Sequence, residues 1–180
     1  MNAVIAILMT VTGERNGELQ GRTLLQKKLY FLSTLLSEDY GYVAHYYGPY
    51  SSKIADAVDT LVSGGFLAEK TEVFPAANVF GEVRRYSYTV TEDGRKILDH
   101  MACDDDFKKW GSFLTKLNSC DMSNDFNVIS IAAKIHYIVS EKGRASIDEI
   151  KDRATKLGWM ISEKDIEKVT SELKLLGLTS

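Results

Sequence analysis

The 180-residue sequence has few cysteines, few prolines and no long apolar run, and each shortage excludes something. Its two cysteines, Cys103 and Cys120, cannot make a disulfide framework, so the expectation is reduced, buried thiols in a cytoplasmic protein. His100 and Cys103 form a lone H-x-x-C, and His45 and His136 lie far along the chain. That falls short of the four ligands a structural zinc needs, so no metal is expected. The longest apolar run, residues 3–9, is far below the roughly 20 residues that cross a bilayer. It also lacks the positive flank of a signal peptide, so no membrane partner is expected. A basic surplus is missing as well: the formal net charge is −3, where dedicated nucleic-acid binders carry excess Lys and Arg. Finally, there is no G-x-S-x-G, no H-E-x-x-H and no phosphate-cradling glycine loop, so neither an enzyme nor a cofactor is expected.

What is present is helix-forming periodicity. Hydrophobic residues make up 44% of the chain, enough for one domain or two small ones sharing a core. Residues 2–12 read as an apolar helix and 13–21 as a polar connector. Across 22–37, Leu24, Leu25, Leu29, Phe31, Leu32, Leu35 and Leu36 cover one broad helical face. Lys27 falls opposite that face, while Lys28 falls inside it and must snorkel or find an acidic partner. Residues 42–47 suit a short strand, closed by a Gly48-Pro49 turn. Ser51 then caps a helix ending at Gly64-Gly65.

Two strands follow, 66–70 and 83–90, joined by a loop containing Pro75. Thr91 opens another helix. Helix, glycine exit, hairpin and helix make the layout of a winged helix, here a mainly α (α+β) fold with a β-hairpin wing. Residues 1–102 read as that domain. Residues 103–180 read as a helical C-terminal subdomain, with helices at about 107–118, 126–141, 147–157 and 163–176. Ser146 with Glu149 fits a capping box and Ser162 with Asp165 resembles one. The last three helices end in Leu176-Gly177-Leu178, echoing Gly65-Phe66-Leu67. This reads as a second, wingless helix-turn-helix or as a packing and dimerisation unit, so a homodimer is one expectation.

The stretch Leu25-Gln26-Lys27, Leu29-Tyr30-Phe31, Tyr47-Gly48-Pro49-Tyr50-Ser51 and Gly65-Phe66 resembles the YwgA-like proteins of bacteria and archaea. More distantly it resembles the Panacea proteins, which are antitoxin-like and phage-associated in context. The resemblance covers about residues 21–70. It implies a winged-helix fold without a catalytic motif, and no established ligand. The 88–94 stretch is similar to the end of the wing in many winged-helix regulators.

Two function classes then compete, and a DNA-binding transcriptional regulator stands first by analogy with other winged helices, with a protein-binding module as the alternative. In the first, a DNA-binding regulator, helix 51–64 reads double-stranded DNA through Ser51, Ser52 and Lys53. Arg84 and Arg85 of the wing contact phosphates, and Lys27 joins the patch. Against it, one lysine faces Asp56 and Asp59 on that helix, and phosphate contacts need cations. The second class is a protein-binding module, adaptor-like or antitoxin-like. Tyr40, Tyr42, Tyr46, Tyr47 and Tyr50 crowd into eleven residues, and tyrosine is enriched at interfaces. The loop from Phe74 to Phe80 is more apolar than a solvated loop. Tyr46, Tyr47, Tyr50, Phe74 and Phe80 are therefore its candidate contacts.

Overall fold

The apolar start of the chain becomes an inner helix. A computed structural model describes residues 2–75 and 82–179. Helix α1, Ala3–Thr12, is capped by the Asn2 side chain and buries Ala6 to Val11 without a break. A helix that is apolar all round must be covered all round, and this one is. Strand β1, Glu18–Gln20, follows within the stretch expected to be a polar connector. Its one apolar residue, Leu19, is fully buried opposite Tyr88. Three residues carry too little periodicity to announce a strand; pairing with a distant partner makes this one.

Helix α2, Arg22–Leu36, and helix α3, Ser52–Ser63, are joined by an irregular segment. The strand expected at 42–47 is absent; only an isolated bridge, Val43 to Tyr50, remains of it. Ser51 caps α3, its Oγ accepting from Ile54 N at 3.2 Å. Strands β2, Leu67–Pro75, and β3, Glu82–Val90, form a long antiparallel pair, and the sheet order is β1-β3-β2. Leu67 lies opposite Val90 and Glu69 opposite Tyr88, so this face carries the buried side chains Leu67, Tyr88 and Val90.

The remaining helices are α4, Glu92–Met101, α5, Asp105–Asn118, α6, Phe126–Lys142, α7, Ile147–Lys156, and α8, Glu163–Leu176. A 3-10 turn, Asp121–Asn124, separates α5 from α6. Asp104 caps α5, and Asp105 and Asp106 stand in its first turn, where carboxylates suit the helix dipole. The capping boxes at Ser146–Glu149 and Ser162–Asp165 are both present. Helices α5 and α6 pack directly on α2, and buried side chains from before and after residue 102 form one continuous core. Among the described residues, no helix is long and apolar enough to cross a membrane.

Candidate functional site

Helix α2 was expected to be amphipathic, with Lys27 on an open face. Instead residues 25–33 are all buried, because α1 covers one side and α5, α6 and the 37–51 segment cover the others. Its polar side chains serve as anchors for that segment. Gln26 binds Ser51 twice: its Nε2 donates to Ser51 O at 2.9 Å, and its Oε1 accepts from Ser51 N at 3.0 Å. Lys27 Nζ donates to Pro49 O at 2.7 Å. Tyr42 donates its hydroxyl to Gln26 O at 3.1 Å, and Ser51 Oγ donates to Tyr40 O. Gly48 sits at φ 99°, where a Cβ would lie 3.0 Å from Lys134 Cγ and 3.3 Å from Lys27 Cε. Glycine is needed there on both counts.

Lys27 therefore leaves the DNA-contact group. It is 1% exposed and spends its ammonium on a backbone carbonyl. Burial, with Lys134 nearby, lowers its pKa to about 8. Ser51 leaves it too, being fully buried with its hydroxyl committed at both ends. Lys28 finds the acidic partner that its position demanded, pairing with Glu14 and reaching Asn118 Oδ1 at 3.0 Å. Between α2 and α6, Tyr30 Oη lies 2.7 Å from His136 Nδ1. Burial lowers the His136 pKa to about 4 and raises that of Tyr30. The imidazole is thus held neutral, and its Nδ1 shares a single proton with the Tyr30 hydroxyl in this hydrogen bond.

Held this way, the segment presents two tyrosines to solvent: Tyr46 is 70% and Tyr47 58% exposed, their rings edge-on at 4.9 Å. The other tyrosines turn inward: Tyr40 is buried and Tyr42 and Tyr50 are partly covered. A tie from the C-terminal half fixes the tip. Trp159, in the turn between α7 and α8, donates its Nε1 to His45 O at 2.8 Å. Trp159 is itself buried, packed edge-on against Tyr137. The next residue, Met160, is 95% exposed. Sequence reading passed over Trp159 and Met160. A single tryptophan before a serine cap carries no periodic signal, and the contact spans 114 positions.

The face formed by α3 and the hairpin is less coherent than expected. Ser52 and Lys53 are exposed, but so are Asp56 and Asp59. Arg84 and Arg85 are exposed on opposite faces of the sheet, as successive strand residues must be. Arg84 shares its face with Tyr86 and Tyr88. Arg85 lies opposite Glu72, its guanidinium 5.1 Å from the centre of the Phe74 ring. Two residues expected in different sites, Arg85 and Phe74, thus touch each other. Phe80 lies outside the described residues. Tyr50 lines a small cavity of about 250 Å³ with Gln26, Asp56, Asp59, Arg22 and Tyr88. At its edge Arg22 donates to Tyr88 Oη at 3.0 Å and to Glu69 at 2.9 Å. Cys103, expected to be buried, is exposed because it follows α4 in a turn; Cys120 is buried.

The chain is similar to the uncharacterized protein YwgA of Bacillus subtilis (strain 168). Identity is 36% over 100 residues, which is 55% of this chain and 56% of YwgA. The match supports a YwgA-like assignment, and the chain spans about half the length of that curated relative. No family model matches it. The residues that carry the resemblance acquire a physical meaning here. The L-Q-K element of α2 grips the G-P-Y-S element through Gln26 and Lys27, so the pair works as a clamp and its receiver.

Proposed function

We propose that this chain is a protein-binding module, adaptor-like or antitoxin-like, built on a winged-helix unit. The fold part of the reading is supported by the order α1–β1–α2–α3–β2–β3 and the strand order β1-β3-β2, in which β1 is recruited to the hairpin. The observation that carries the function is the exposure of Tyr46, Tyr47 and Met160 on two segments joined by the Trp159–His45 hydrogen bond. Large apolar side chains open to water, on backbone tied down by the Trp159–His45 hydrogen bond beside them, suit a binding hot spot, since less ordering entropy is then lost on association. Tyrosine and methionine are also the side chains that such patches favour.

The test uses tagged protein expressed in its native host. The expected partner is recovered with wild type and with Arg84→Glu plus Arg85→Glu, and is lost with Tyr46→Asp plus Tyr47→Asp or with Met160→Asp. All these side chains are exposed, so the variants are expected to fold, which their circular dichroism checks.

The DNA-reading alternative is favoured by Lys53 on α3 and by Arg84 on the sheet face that carries Tyr86 and Tyr88. It is weakened by Asp56 and Asp59 beside Lys53 and by Arg85 facing away. Genomic DNA fragments titrated across salt separate the two. Steeply salt-dependent binding lost on Arg84→Glu would replace the protein-binding reading with this one.

A further inference from the structure

Two lysines that pack on the Tyr46 and Tyr47 segment have no acid beside them. Lys27 spends one of its three N–H donors on Pro49 O. Lys134, on α6, packs on the same glycine: a Cβ at Gly48 would lie 3.0 Å from Lys134 Cγ and 3.5 Å from Lys27 Nζ. The two ammoniums are near enough that Lys134 lowers the Lys27 pKa, and burial lowers that of Lys134 itself. Neither forms an ion pair with a described residue. Lys28, next along α2, shows the contrast, being buried and paired with Glu14. Partly desolvated positive charge without a counter-charge is costly, and an arriving anion recovers part of that cost.

Lys134 also touches both segments of the exposed patch. Gly48 follows Tyr47 in the chain, and Trp159 precedes Met160. Lys134 Nζ lies 5.8 Å from the centre of the Trp159 ring, and that indole is bonded to His45 O, next to Tyr46. Lys134 itself is half-buried, while Tyr46, Tyr47 and Met160 are exposed. The complement of this surface is one negative charge beside apolar side chains. A phosphate dianion calls for several converging donors. A single-stranded nucleic acid calls for a positive groove along successive phosphates, and this chain carries a net charge of −3. One ammonium among exposed aromatic and thioether side chains matches a carboxylate with apolar neighbours.

We propose that the Tyr46, Tyr47 and Met160 patch recognises a segment of a partner protein in which an acidic side chain stands between apolar ones, the carboxylate meeting Lys134 and the apolar side chains meeting the tyrosines and the methionine. This rests on the protein-binding reading and adds to it the chemistry of the partner. Lys27, 1% exposed, contributes positive potential without touching the partner. The charge then selects the segment and the exposed rings hold it. Gly48 gains a further reason to be glycine, since a side chain there would press on Lys134.

The test is a titration of the full chain, its methionine methyls labelled for NMR, with short synthetic peptides whose ends are blocked. Each holds glutamate, glutamine or lysine between two leucines. The glutamate peptide is expected to shift the Met160 methyl saturably and to bind at least about fivefold tighter than the glutamine peptide at low salt, with the lysine peptide weakest. Lys134→Gln is expected to make the glutamate and glutamine peptides equal, and Lys134→Arg to keep the preference. Tyr46→Asp plus Tyr47→Asp is expected to abolish binding of all three. The buried methyls of Met9 and Met122 report that each variant is folded. Equal affinity for the three peptides, a preference that survives Lys134→Gln, or no Met160 shift with any peptide would overturn the proposal. So would the same shift with protein concentration alone, which means a second copy, or tighter binding of a short oligothymidine, which means a nucleic acid. The protein-binding reading fails separately, if capture in the native host is indifferent to Tyr46→Asp plus Tyr47→Asp. A partner lost with that variant but held by Lys134→Glu as firmly as by wild type would sink the acidic segment alone.

Discussion

The two three-helix units of this chain, α1 to α3 and α6 to α8, differ less in their helices than in what lies against them. Both end in a left-handed glycine followed by an apolar residue, and both fold that residue back onto the helix by the same hydrogen bond. The first unit is roofed by a sheet and presents Tyr46 and Tyr47 to solvent on the linker between α2 and α3. A unit of this kind leaves an apolar flank to be covered; the sheet covers it in the first unit, and among the described residues no strand lies against the second. The units also meet: α6 lies on α2, and Trp159 ties the second unit to the linker of the first.

The sharpest way to break this comparison is to remove the equivalent cover in each unit. Leu67→Ala, which removes a side chain 1% exposed beneath the sheet, is expected to cost about 2–5 kcal/mol. Leu178→Ala, at a half-buried position just after α8, is expected to cost less than about 1 kcal/mol, since little packed volume is lost there. Urea unfolding midpoints of the two variants measure the difference; equal losses would mean that the second unit is as well covered as the first.

The seam between the units is next in size. Burial holds His136 at a pKa of about 4, below its ordinary 6.5, so the unfolded chain binds a proton that the folded chain refuses. Its contribution is therefore constant above about pH 6.5. Stability then falls as pH drops toward 4, by something on the order of 3 kcal/mol. Denaturant titrations at several pH values should show this slope, and His136→Gln should remove most of it.

Gln26→Leu comes third. It leaves Ser51 N and O without their partner, at a cost of about 1–3 kcal/mol. Faster hydrogen exchange at the Ser51 amide and looser Tyr46 and Tyr47 rings should accompany it, while the α7–α8 turn is unaffected. Smallest are Gly65→Ala and Gly177→Ala. A Cβ would meet nothing within 4 Å at either site, so each should cost only the left-handed backbone, about 1 kcal/mol. Equal losses would sharpen the equivalence of the two turns, and a clear inequality would break it.

Much of the helical framework was legible in the sequence, because caps and periodicity are local. Ser51, Thr91, Ser146 and Ser162 begin helices where their side chains can satisfy free N–H groups, and Gly65 and Gly177 end them. The candidate surfaces were less legible. Ser51 and Lys27 looked like contacts because polar residues are read as exposed, yet both are buried by a segment that their own hydrogen bonds hold in place. Arg84 and Arg85 looked like one basic patch because they are adjacent in sequence, yet adjacency in a strand separates side chains.

The order of helices and hairpin, the caps and the lysine that needed an acid at position 28 were thus set by short-range chemistry that any reader of the chain can follow. Only the tertiary structure recruited Leu19 into a strand, enclosed α2 on every side, and brought Trp159 to His45 across 114 residues. Those decisions belong to pairing and burial between segments far apart in the chain, and no local pattern of side chains encodes them.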